Sequence, residues 1–292
     1  MRPSTRLILL TTPPAILTYT THRYLSTLEA KYPPIDPTTT TSLALRTPSN
    51  ATTQHCPEID VYEARHIPVK SLLKRYSTLL QSRHTETHDF KNSNKATLTN
   101  AWILTFLNTR PLIVEGSIIG LIKNKSYSPG DTGLTDPEFI TTSTNTSTYI
   151  SRFASIFTTP KPQNSDHTIE KAKGGGRPLL NSALTVQASS PTTGLLVSWH
   201  MPDEARLFFE KIARWGYPWR LMSGGRHEIN ISEVYMYRGE EVVDVRFASA
   251  HDYEVVGDEE QKQKIVPAWV GRLHRGYARA LVDWAVRDLA EA

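Results

Sequence analysis

From Gly194 to the C-terminus the hydrophobic period switches repeatedly between two and about 3.6 with little polar filler between, and this order of periods restricts the chain to a sheet with helices packed on it. Leu195-Leu196-Val197-Ser198-Trp199-His200 reads as a strand, and Pro202-Asp203-Glu204 opens a helix with proline and carboxylates in its first turn. That helix carries Leu207, Phe208, Ile212 and Trp215 on one face and ends at Gly216-Tyr217-Pro218. Arg226 to Tyr237 alternates, Gly239 marks a turn, and Glu241 to Ala248 returns as the second arm of a hairpin. A charged loop from Gly257 to Lys264 leads to a last helix at Pro267, with Trp269, Leu273, Tyr277, Ala280, Leu281 and Trp284 as its apolar stripe. The expected class is α+β: a curved antiparallel sheet gripping helices, with a long amphipathic helix at the C-terminus.

Upstream the pattern is broken by polar tracts. Ile59 to Ala64 is a strand, Val69 to Leu80 a helix started by Pro68, and Leu98 to Leu107 a second helix. Leu112 to Ile122 reads as a buried strand or a continuation of that helix, Pro111 arguing for a break, and Tyr127 to Gly133 is turn chemistry. The tracts 81–95 and 158–177 are expected to be loops within one domain spanning 58–292, because no block between them is large enough to stand alone. Residues 1–57 are expected to form an N-terminal arm followed by a Pro/Thr-rich linker. The arm is basic at Arg2 and Arg6 and apolar at Leu7 to Leu10 and Ala15 to Leu17. Its uncharged stretch is shorter than the roughly 20 residues of a spanning helix and is broken by Pro13-Pro14, so two readings stand: an arm that packs on the domain or is partly disordered, or an interfacial contact with an internal membrane.

Several chemistries are disfavoured. The chain has 33 Lys+Arg against 29 Asp+Glu, with no dense basic stripe, so nucleic acid is a poor partner. A single cysteine, Cys56, removes a disulfide framework and multi-cysteine metal sites. His84 and His88 have the i, i+4 spacing of half a zinc site, but Thr85 stands where the catalytic Glu would, so no metal is expected. Gly174 to Gly176 precede Arg177-Pro178 and not Lys-Ser/Thr, which makes them a linker. Four Asn-x-Ser/Thr sites occur, at Asn50, Asn124, Asn145 and Asn230; the last, inside the hairpin, would be awkward to modify, which favours a cytoplasmic chain.

The candidate site lies on the hairpin. With Gly239-Glu240 as a two-residue loop, Tyr235 faces Asp244 and Glu233 faces Arg246, and Tyr235, Glu233, Ile231, Ile229 and His227 share one face. Tyr235, Arg246, His227, Glu233 and Asp244 are the catalytic candidates, offering a donor, a fixed cation and an acid/base group for carbonyl activation. The competing reading is a solvent-facing pair worth about 0.2–1 kcal/mol. Trp199, Trp215, Trp219, Arg220, Arg226 and Tyr237 are the candidate walls of an apolar substrate cavity, although each aromatic alone is more often core.

Three stretches, Gly194-Leu-Leu-Val-Ser-Trp-His-Met-Pro-Asp-Glu, Ala213-Arg-Trp-Gly-Tyr-Pro-Trp-Arg-Leu-Met-Ser-Gly-Gly-Arg-His-Glu and Trp269-Val-Gly-Arg-Leu-His-Arg-Gly-Tyr-Ala-Arg, resemble small proteins of fungal secondary-metabolite pathways, among them norbornene-forming Diels–Alderases of sordarin-type diterpenoid biosynthesis. The resemblance covers about the last hundred residues and transfers no catalytic residue. It implies a cyclase that needs no cofactor and acts on an apolar terpenoid or polyketide. The alternatives are a proton-transfer isomerase or dehydratase in the same pocket, with His227 or Glu233 as base, and a non-catalytic lipid or terpenoid carrier.

Overall fold

The computed structural model describes residues 3–81, 94–134, 176–190, 193–259 and 262–291. The expected loops at 81–95 and 158–177, with His84, His88, Gly174 and Gly175, fall almost wholly outside them, as does Asn145. In chain order the elements are α1 (Pro3–Lys31), α2 (Pro37–Thr40), α3 (Leu43–Arg46), β1 (Gln54–His55), β2 (Ile59–Pro68), α4 (Val69–Gln81), α5 (Lys95–Leu107) and α6 (Arg110–Ile122). Then follow β3 (Pro178–Leu179), β4 (Leu184–Ser190), β5 (Gly194–His200), α7 (Asp203–Arg214), β6 (Gly224–Ile231), β7 (Tyr235–Tyr237), β8 (Glu240–Glu254) and α8 (Ala268–Glu291). The class is α+β with an open antiparallel sheet, as the periodicity predicts. Pro111 starts α6 as a separate helix, since proline fits a first turn where its amide would have no partner.

The spine of the sheet is β8. One of its edges pairs with β1 and β2, the other with β6 and β7, and β5, β4 and β3 continue outward from β6. Alternation sorts β8 into two faces. Val243, Val245 and Phe247 point to the helices, joining Tyr62, Val197, Ile229 and Ile231 in the main core with Trp102 and Phe106 of α5 and Leu281, Val282 and Ala285 of α8. Ala248 and Ala250 point the other way, into a smaller cluster with Val61, Leu196 and Leu45.

That second cluster overturns the linker expectation. Residues 33–55 are a strap over the far face of the sheet. Asp36 and Ser42 cap the short helices α2 and α3, Leu45 is fully buried, Ser42 hydrogen-bonds Glu228, and the Asn230 side chain donates to the Thr40 carbonyl at 3.1 Å. Polar caps and one well-placed leucine suffice where the sheet already supplies the apolar floor.

The arm packs on the domain through its second half, but the paired prolines do not break it. Pro13-Pro14 lie within α1, and the Thr18 and Thr20 hydroxyls donate back to the Pro14 and Ile16 carbonyls. A proline removes only its own amide, so neighbouring turns can hold the helix. The second half of α1 packs parallel to α8: Arg272 donates to Glu29 and Ser26, Tyr32 and Lys31 bond Asp283, and Leu28 and Tyr32 enter the main core. The helices meet at Gly276, where an added Cβ would lie 2.0 Å from Leu25 Cδ2. Gly276→Leu is therefore expected to undock α1 at a cost of about 1–3 kcal/mol, measured by urea unfolding.

The hairpin register differs from expectation. The loop is Arg238-Gly239, with φ of 50° and 85°, and Tyr237 faces Glu240 while Tyr235 faces Val242. A type I′ turn needs positive φ at both central residues, which suits Gly239 as the second of the pair. In addition, three residues separate Ile231 from Tyr235 while only two separate their partners Val245 and Val242, a bulge. It turns Tyr235 to the face opposite Ile231 and His227, so the expected single face does not form.

Candidate functional site

The hairpin candidates disperse. The Tyr235 hydroxyl donates to Asp244 at 2.6 Å and meets His66 Nδ1 at 2.9 Å, an arrangement that raises the phenol to about 12, first by burial and then by the carboxylate. Tyr237 stacks on His66. Arg246 pairs with Glu63 of β2 at 2.6 Å and not with Glu233, which is exposed and bonds Lys95. Arg226 grips Asp252 through both terminal nitrogens and donates to the Leu45 carbonyl, tying the strap to the sheet. Arg220 is buried between Glu210 and Glu259. Trp215 is exposed on α7. Tyr235 and Asp244 remain together, but Asp244 lies seven residues along β8 from His251, roughly 23 Å at the rise of a strand, and His251 lines a separate cavity.

That cavity, of about 470 Å³, opens where the C-terminal half of β8 meets the first turns of α8. Its size suits a small molecule. His251 and Tyr253 come from β8, Asp60 from β2, His274 and Arg275 from α8, and Trp219 and Met222 from the connection between α7 and β6. Residues 262–267, ending at Pro267, form its rim. Of the residues expected from sequence, Trp219 alone lines it. Trp199 and His227 stand beside it: Trp199 meets the His251 ring edge-on at 6.2 Å and stacks near His227 at 6.3 Å. Gly225 makes room for that indole, since a Cβ there would lie 2.4 Å from the Ala250 carbonyl and 2.8 Å from Trp199 Nε1.

At the cavity wall His251 Nε2 and His274 Nε2 face each other at 2.8 Å, the rings nearly perpendicular, with Ser249 Oγ 3.2 Å from His251 Nε2. One nitrogen must donate and the other accept, which two neutral imidazoles in opposite tautomers satisfy. Burial holds them neutral. It pushes His251 down to about 3, aided by the positive surroundings of His274, Arg275 and Arg226, and it lowers His274, with Arg275 adding to the effect. His227, whose Nδ1 is shut off from solvent without a hydrogen-bond partner, is likewise pushed down to about 3 by burial. Asp60 shifts the other way: burial raises its carboxyl, against the pull of Arg275. Arg275 is anchored by Glu58 at 2.8 Å.

These shifts have a consequence for stability. An unfolded imidazole takes up its proton near pH 6.5, while folded His227 and His251 do so only near 3. In that window the unfolded chain binds more protons, so stability falls as pH drops. Each of the two is expected to remove about 1.4 kcal/mol per pH unit below 6.5. Denaturation at pH 7.0 and 5.5 checks this, and His227→Gln is expected to shallow the slope by about one proton.

The sequence reading missed His251, His274, Asp60, Ser249 and Arg275. A signal existed: the alternation that was ended at Ala248 runs on to Glu254, placing Ser249, His251 and Tyr253 on one face. Cys56 is half-buried, its thiol raised by burial. Among the described residues no group of three or more His, Cys, Asp or Glu is placed to hold a metal ion. A scan against protein-family models, a search of curated proteins and a search of solved structures return no match to this chain.

Proposed function

We propose that the chain is a cyclase or isomerase of a small, largely apolar carbonyl compound, bound in the Trp219–His251–His274 cavity and activated by a neutral imidazole N–H. The observation that carries this reading is the facing pair of Nε2 atoms at 2.8 Å in a cavity walled by Trp219, Met222 and Tyr253. An imidazole held at about 3 is a poor base at neutral pH, but in the pair the ring whose Nε2 accepts carries its proton on Nδ1, and that N–H is left to polarise a carbonyl without giving up the proton. With a polyene folded against the aromatic wall, that donor lowers the barrier to intramolecular cycloaddition. Holding the reacting ends together contributes about 7–11 kcal/mol in favourable cases. The chemistry is what the resemblance of residues 194–204, 213–228 and 269–279 implies.

Asp60 supports a second reading. Its carboxyl is raised by burial, which moves it toward the range of a useful base, and an imidazole N–H beside it would stabilise the enolate formed when Asp60 removes an α-proton. Asp60 exchanges that proton with solvent and delivers a solvent-derived proton at another carbon, which is a proton-transfer isomerisation. Incubation in D2O with unsaturated ketones of terpenoid size, followed by mass spectrometry, separates the two. An isomer at unchanged mass is expected for the cyclase, and an isomer carrying one deuteron for the proton transfer. Reversible binding with neither product, unaffected by His251→Phe, would make the protein a carrier.

A further inference from the structure

We propose that the end of the molecule carrying the cavity rim docks on an anionic membrane surface, so that an apolar ligand passes between the bilayer and the cavity. The docking rests on exposed side chains and not on the chemistry proposed above. α7 is amphipathic in the wrong sense for a core helix: only Ala213 is buried, while Phe208 is 58% and Trp215 75% exposed. At the start of α8, where the sequence suggests a core stripe, Trp269 is 60% exposed and Leu273 also faces outward. An aromatic chain joins the two, from Phe209 through Tyr217 and Trp219 to Trp269, with successive ring centroids 6.1, 5.2 and 6.5 Å apart, and Trp219 is itself a cavity wall.

The third contributor is α1. Because it runs parallel to α8 and His22 and Ser26 meet Arg272, the residues one turn earlier, near Tyr19, lie level with Trp269. The part of α1 N-terminal of that point, from Pro3, extends past the first turn of α8. Ile16, Leu17 and Tyr19 are exposed there, and the sequence from Leu7 to Thr21 is uncharged.

A bilayer is the occupant that the charges favour. The Lys211 ammonium lies 5.3 Å over the Trp215 ring, the pairing of cation and aromatic typical of the interface between headgroups and acyl chains, and Arg214 beside it is exposed while it pairs with Glu210 at 3.6 Å. The neighbouring carboxylates Glu210 and Glu259 are drawn inward by buried Arg220. Asp203 and Glu204 sit at the far end of α7, roughly 16 Å from Trp215 along the axis. Among the described residues no helix is long and apolar enough to cross a membrane, so the attachment is peripheral.

Flotation of the full chain with vesicles tests the proposal. Retention is expected on phosphatidylcholine vesicles containing about a third phosphatidylserine, weaker retention on phosphatidylcholine alone, and loss in high salt. The variant Leu207→Ser/Phe208→Ser/Trp215→Ser, whose changes lie on exposed positions, is expected to bind at least about tenfold more weakly with unaltered thermal unfolding. Trp269→Ser is expected to weaken binding in the same direction. Absence of retention, equal retention on both vesicle types, or retention unchanged in the triple variant would overturn the proposal. So would a dimer in light scattering that the triple variant dissolves, since a second copy would then cover the patch.

Discussion

Arg226→Met is expected to destabilise the protein by about 3–5 kcal/mol, among the largest losses any single substitution on the sheet should produce. Arg226 and Asp252 are both nearly inaccessible, with side chains 4% and 2% exposed, and the guanidinium engages both carboxylate oxygens. Its Nε also donates to the Leu45 carbonyl at 2.9 Å, the point at which the strap residues are pinned to the far face. Removing the cation leaves a carboxylate buried without compensation, and it leaves the Leu45 carbonyl short of a donor. The loss should appear as a lower urea midpoint. It should be largely recovered by Arg226→Met/Asp252→Leu, because an apolar pair of similar volume carries no desolvation cost. A double variant no more stable than Arg226→Met would mean that the pinning of the strap, and not the unpaired charge, dominates.

Arg226 also shows what was legible in the sequence. Its strand and the general class follow from alternation, and so do the helices α4, α5, α7 and α8 to within a few residues of their observed starts. The role of Arg226 does not follow, because Asp252 and Leu45 reach it from 26 residues downstream and 181 residues upstream. Pairing at such separations is set by the whole sheet and leaves no local trace. The strap was unreadable for a related reason: α2 and α3 are single turns held by caps, and their composition resembles that of a linker. On the hairpin, one bulge between Ile231 and Tyr235 was enough to separate Tyr235 from His227. The site itself was half visible. Trp219 was singled out for the right wall, but His274 sits between Leu273 and Arg275 on a helix whose stripe was read from its large apolar residues. Of those residues Trp269, Leu273 and Tyr277 face outward and Leu281 enters the core, while small Gly276 and Ala278 also face inward. Close helix packing selects small residues, which a hydrophobic count underweights.

His251→Phe is expected to lower turnover of the carbonyl substrate by about 10²–10³ with little change in its binding, the effect of removing one preorganised donor aimed at developing negative charge. The geometry makes the loss specific to chemistry. Phenylalanine keeps a flat ring between Ser249 and the cavity but cannot hydrogen-bond His274 Nε2, so the tautomers of the pair are no longer fixed and the aim of the remaining N–H is lost. His274→Phe should do the same. Trp219→Ala, by contrast, removes wall and not donor, and should raise KM with a smaller effect on kcat. Because burial lowers both imidazoles, His251 to about 3, kcat should show no inflection near pH 6.5, whereas a histidine acting as a general base of ordinary pKa would impose one. Tyr235→Phe and Arg246→Met provide the contrast. Their side chains bond Asp244, His66 and Glu63 at the other end of β8, and turnover should be unchanged in both. If the hairpin variants lose activity while His251→Phe retains it, the reacting group is bound at the Tyr235–Asp244–His66 cluster and the cavity is not the active site.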